Sequence, residues 1–167
     1  MTDDWDFDSE EILNEHLLYR RVPLTEYEFC EVTDVATGAK KASPATLRYD
    51  YDDAKDGEQE GLSVHRKTVL AKRERPPETV YDYEKYRALI FPAGAPRCVG
   101  VGVGVLIAPD PDEPDADLAA AHALVRTNTA APRGTKKPKF PEWNRIRGAI
   151  ADVATWYPPE GPVDDRE

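Results

Sequence analysis

Apolar residues fall into short groups with two different spacings along the chain, separated by stretches rich in Pro, Gly and acid. Ser9 followed by Glu10 and Glu11 suits the start of a helix, because a serine oxygen caps free amides and acids favour the positive end. A short helix over about 9–16 is predicted. LLYRRVPL (17–24) and EYEFCEVTDV (26–35) are rich in aromatic and β-branched residues and predict two strands around a break at Pro23. Residues 33–61 are turn-rich, with strand character confined to ATLRYDY (45–51). LSVHRKTVLAKRER (62–75) reads as a helix capped by Ser63, with Val64, Val69 and Leu70 near one side. Val80, Tyr83 and Tyr86 or Arg87 also stand at helical spacing and predict a helix over about 79–88.

In RCVGVGVGVLI (97–107), Val99, Val101, Val103, Val105 and Ile107 occupy every second position, with Gly100, Gly102 and Gly104 between them. Period two predicts a strand over 98–107. A dinucleotide-binding G-x-G-x-x-G turn would need its third glycine where Val105 or Ile107 stands, and the APDPDEPD that follows is proline-broken and acidic, so no phosphate cradle is expected. Each strand glycine costs about 0.5–1 kcal/mol relative to Ala. A bare glycine side admits a bulky neighbour, and Trp143 or Trp156 is the expected cover. DLAAA (117–121) reads as a helical turn leading into a strand, His122–Thr127. Trp143, Ile146, Ile150, Val153 and Tyr157 then form one apolar stripe at helical spacing. The expected fold is α+β: a single domain over 9–157 in which a twisted, mainly antiparallel sheet carries a C-terminal amphipathic helix packed on it. An acidic N-terminal segment (1–8) and an acidic tail (158–167) flank it.

Composition sharpens this picture. Leu, Ile, Val and Phe make up 33 of 167 residues, a lean core, and 15 prolines require much irregular backbone. The net charge is -10, and twenty of the 32 acids lie in four runs, 3–11, 50–60, 110–117 and 164–167, expected as solvated loops and ends. Such acidity repels phosphate and argues against a DNA-coating protein, whereas it suits a basic protein partner. A surface adapted to high salt carries the same balance. Cys30 and Cys98 form no metal spacing and no CxxC, and are expected as small buried residues on strands. With no secretory signal and no apolar run near the ~20 residues that cross a bilayer, a cytoplasmic protein with reduced thiols and no membrane contact is expected.

Candidate chemistry is sparse. The Asp110–Asp117 run lacks the glycine of a calcium loop, and Ala121 stands where the closing glutamate belongs. His16, His65 and His122 have no companion at metal-ligand spacing, so neither metal nor cofactor is expected. Basic patches at 65–75 and 126–139 oppose the acidic background, and no acid lies between Asp117 and Glu142. The second patch, with Lys136, Lys137 and Lys139, suits an acidic protein or nucleic acid, although it lacks interleaved aromatics for base stacking. The favoured reading is a non-enzymatic protein-binding subunit. In it Asp110, Asp112 and Asp115 steer a basic partner and Trp5 and Phe7 supply aromatic anchors.

Leu18-Tyr-Arg-Arg-Val22, Leu62-Ser-Val-His-Arg66 and His122-Ala-Leu-Val125 resemble a group of small bacterial accessory proteins of unknown function that carry LYRRV, LSV and HAxV motifs. Ser43-Pro-Ala-Thr-Leu47 is nearest to their second element and lacks its Phe. This resemblance implies an accessory role and no particular activity. Tyr19, Arg20, Ser63 and His65 also resemble the cofactor-holding residues of small ADP-ribosyltransferase toxins, which implies an NAD-using enzyme with Arg20, Ser63 and His65 as catalytic candidates. The late catalytic glutamate of those enzymes has no counterpart in this chain.

Overall fold

The computed structural model describes residues 7–28, 30, 32–34, 39–49, 61–100, 102–128 and 140–158. In chain order they form β1 (Leu17–Pro23), α1 (Leu24–Tyr27), β2 (Val32–Asp34), β3 (Ala39–Lys40), β4 (Leu62–Arg66), α2 (Lys67–Lys72), β5 (Tyr86–Pro92), α3 (Gly94–Arg97), β6 (Val103–Ile107), α4 (Ala116–Ala121), β7 (His122–Thr127), α5 (Phe140–Val153) and β8 (Thr155–Tyr157). Short 3-10 turns occupy Pro44–Thr46 and Pro77–Thr79. Six strands make one antiparallel sheet in the order β6-β7-β4-β1-β5-β8, and β2 pairs with β3 apart from it. The fold is therefore α+β with an antiparallel sheet, as the sequence pattern implies.

Alternation along the strands sorts side chains onto two faces. On one, Leu18, Val22, Leu62, Val64, Leu89 and Phe91 share a core with Trp143, Ile146 and Ile150 of α5. On the other, Tyr19 and Ala88 pack with Leu70 of α2, with Val80 and Tyr81, and with Leu118 and Ala121 of α4. Helices thus cover both faces. β5 lies between β1 and β8, and its Ala88-Leu-Ile-Phe91 run is apolar on both sides, so it carries no period-two signal. That explains why 79–88 reads as a helix from spacing alone, whereas the chain forms a 3-10 turn and then β5.

Other expectations are corrected by long-range contacts. Residues 9–16 form turns, not a helix. Ser9, the expected cap, instead uses its hydroxyl to accept the Ile107 amide at 2.9 Å, while its own amide donates to the Val105 carbonyl at 2.9 Å. The expected strand at 26–35 is divided between the end of α1 and β2, and within 45–51 a 3-10 turn replaces the described start of the expected strand. Ser63 lies within β4, and the helix begins only at Lys67. Cys30 is buried in a bend, and Cys98 is exposed just after α3, so neither sits on a strand.

The strand expected over 98–107 is β6, and it begins only at Val103. Its glycines are not covered by a tryptophan. A Cβ at Gly104 would come within 2.5 Å of the Phe7 carbonyl and of Asp8 Cβ, and one at Gly102 would meet the Asn128 side chain. Residues 7–9 instead lie along the outer edge of β6, where Asp8 Oδ1 accepts the Val105 amide at 2.9 Å. Arg97 fastens this segment by donating to Asp8 Oδ1 at 2.9 Å, Ser9 O at 3.0 Å and Ile12 O at 2.6 Å. Polar side chains thereby satisfy an edge that would otherwise invite another strand. Gly104→Ala is expected to lift residues 7–9 from β6, with faster hydrogen exchange at the Val105 and Ile107 amides and a loss of about 1–3 kcal/mol. Unchanged protection at both amides would contradict this packing.

A candidate partner-binding loop above a buried histidine pair

The face of the sheet under α2 and α4 carries the polar residues. Strand register places His65 of β4 beside Tyr19 of β1 and opposite His122 of β7, with the two imidazole centroids 5.7 Å apart. Both histidines are buried. His122 Nδ1 lies 2.7 Å from the Ala108 carbonyl, which can only accept, so this nitrogen carries the proton. In the neutral ring Nε2 then accepts from the Ser63 hydroxyl at 3.1 Å. His65 Nδ1 lies 2.6 Å from the Tyr81 hydroxyl, which lies 3.3 Å from the Tyr19 carbonyl. A proton on His65 Nδ1 satisfies both contacts, because Tyr81 is then free to donate onward.

Burial, followed by His122, Arg21 and Arg20, pushes His65 down to about 3. Burial also holds His122 below its ordinary value, against the opposing pull of the Ala108 carbonyl, and pushes the Tyr81 phenol up. Neutral rings with internal partners are suited to fixing strand register and the 76–83 segment. Of the catalytic candidates, Arg20 donates to the Ser63 carbonyl at 3.0 Å, so these two meet. Ser63's hydroxyl, however, serves His122 and not His65. None of Arg20, Ser63 and His65 lines the surface depressions bordered by Ser9, Ala42, Thr46 or Pro111.

The acidic loop before α4 is a built structure. Asp115 caps α4 by accepting the Asp117 and Leu118 amides at 3.0 and 3.2 Å. Arg75 reaches Asp115 at 3.1 Å and Asp117 at 2.9 Å, and Arg73 reaches Asp117 at 3.0 Å. Partial burial raises Asp115, but the Arg75 hydrogen bond and the capped amides outweigh it and hold its carboxyl below the usual range. Arg75, then Arg73, does the same for Asp117. Further along, Asp110 Oδ1 accepts the Asp112 amide at 3.0 Å, and Glu113 Oε2 accepts the Asp115 amide at 3.1 Å. Glu113 also pairs with Arg21 at 3.5 Å, and the Arg21 guanidinium lies 5.6 Å from the Tyr81 ring centre and 5.3 Å from that of Tyr86. Sequence reasoning missed Tyr81 and the pairings of Arg21 with Glu113 and of Arg75 with Asp115 and Asp117, since these partners lie on other elements.

Beside this loop lies an open depression of about 690 Å³. The loop contributes Pro109, Pro111 and Pro114 to its lining, α4 contributes Ala116, Ala119 and Ala120, and Asp110 and Glu113 are its acids. Thus two of the acidic candidates, Asp110 and Asp112, lie in or beside an exposed loop, whereas Asp115 is committed to Arg75 and the helix cap. Phe7 is half-buried on the segment along β6 and does not line that depression. Trp5, Lys136, Lys137 and Lys139 lie outside the described residues. Among the described residues no group of three His, Cys, Asp or Glu side chains is arranged to hold a metal, and no helix is long and apolar enough to cross a membrane. Comparison with protein-family models, with curated proteins and with solved structures finds no match to this chain.

Proposed function

We propose that the protein is a non-enzymatic binding subunit, acting as an adaptor, inhibitor or component of a bacterial multi-protein system, which presents its 109–117 loop to a basic surface of another protein. The observation that carries this reading is the clamping of the loop by Arg21, Arg73 and Arg75. A loop already fixed loses little conformational freedom on binding, so more of its interaction energy remains as affinity. The burial of His65 and His122, each with internal hydrogen-bond partners, supports a structural role for the histidine pair beneath it. Acidic side chains on such a platform mainly accelerate and select encounter with a cationic surface.

The test compares two charge-matched variants binding poly-lysine at increasing salt. Asp110→Asn/Asp112→Asn removes two loop charges, and Glu10→Gln/Glu11→Gln removes two exposed charges elsewhere. The loop variant is expected to slow association at low salt by about threefold or more, the control by much less, with the difference vanishing as salt screens the charges. Equal effects from the two pairs, or salt-indifferent association, would count against the loop as the binding element.

A further inference from the structure

Resting on that reading, we infer that the depression beside the loop is a docking groove for an extended peptide segment of a partner protein, one that alternates cationic and apolar side chains. In α4, Leu118 and Ala121 face the core, while Ala116, Ala119 and Ala120 line the depression. A helix turned toward water ordinarily carries polar residues on that side, and here three alanines stand there instead. Three prolines extend the same apolar surface along the loop. Small side chains leave room for a partner's backbone to lie close, which favours an extended segment over a bulky helix.

Hydrogen-bond chemistry selects the charge of the occupant. The amides of Ala108, Asp110, Asp112, Glu113, Asp115, Asp117 and Leu118 all donate within the protein. Pro109, Pro111 and Pro114 have no amide hydrogen to offer. The loop therefore has few donors left for a carboxylate, a phosphate or an added β-strand. Its carboxylates retain acceptor capacity, since an ionised carboxyl has about four acceptor sites. Asp110 lies in the lining itself, beside a Glu113 whose oxygens serve Arg21 and the Asp115 amide, so a lysine or arginine of the segment finds an acceptor at Asp110 while its apolar neighbours cover the alanines and prolines.

Fluorescence anisotropy with a labelled peptide of alternating lysine and leucine tests the assignment, beside the same peptide with serine for leucine and with glutamate for lysine. The lysine–leucine peptide is expected to bind most tightly. Ala119→Arg, which places bulk and positive charge in the groove, is expected to weaken it about tenfold or more, in the range of a truncated interface anchor. Hydrogen exchange of the unaltered protein with this peptide is expected to slow over 109–120, a readout independent of whether the variant folds. Equal binding of the serine peptide, with slowing over 109–120, overturns the groove and leaves the acidic-loop reading standing, whereas slowing only elsewhere on the molecule overturns both. Failure of both lysine peptides to bind overturns the two together.

Discussion

Ile146→Ala is expected to destabilise the protein by about 2–5 kcal/mol, whereas Val153→Ala on the same apolar stripe of α5 is expected to change stability by less than about 0.5 kcal/mol. The contrast follows from where the stripe ends. Ile146 is 0% exposed in the core between α5 and the sheet, and removing its outer carbons leaves a cavity lined by rigid strands. Val153 is the last residue of α5 and is 52% exposed. The chain then turns into β8, where Tyr157 points to the opposite face of the sheet and packs near Tyr83. Urea unfolding of the two variants distinguishes this arrangement from a helix whose stripe is buried over its whole length. Comparable losses at both positions would place Val153 in the core and contradict the register of α5 on the sheet.

Acid is expected to weaken the fold through its two buried histidines at a higher pH than through Asp115 and Asp117. Both have folded pKa values below the unfolded value of 6.5, so the unfolded chain binds more protons and stability falls as pH falls. For His65 the penalty is absent above 6.5 and grows until its folded value of about 3 is reached. Each histidine kept neutral in the fold lowers stability by up to about 1.4 kcal/mol per pH unit within its window. His65 faces His122, Tyr81, Arg21 and Arg20, with Asp115 as the nearby opposing charge, so little compensates a second positive ring. Asp115 and Asp117 behave alike in sign but act lower. Their stabilisation is complete above 3.8 and is lost as pH falls through their depressed folded values. Denaturant titrations at several pH values between about 6.5 and 5 therefore isolate the histidines from these carboxylates. His65→Gln, neutral throughout, is expected to flatten the slope by about one histidine's share. A stability that does not change over this interval, or a variant with the parental slope, would show that His65 is protonated in the fold.

Sequence pattern alone determined the elements whose signal is local. β7 at His122–Thr127, the helical turn before it, β1 in LLYRRVP and the Trp143, Ile146 and Ile150 side of α5 all follow from alternation or helical spacing, and with them the α+β class. Charge patterning also identified the acidic run whose fixed loop forms the candidate site. Tertiary structure decided what those residues do. Ser9 could cap a helix or satisfy a strand edge, and β6, about a hundred positions later in the chain, drew it to the second. Arg75 and Asp115 are 40 positions apart, and only the packing of α2 against α4 turns two surface charges into a clamp. His65 and His122 become a buried pair because β4 lies beside β7, an adjacency that no spacing along the chain contains. Local periodicity reports which way a side chain points, whereas the order of strands in the sheet fixes what it meets, and for this protein the candidate site lies in those meetings.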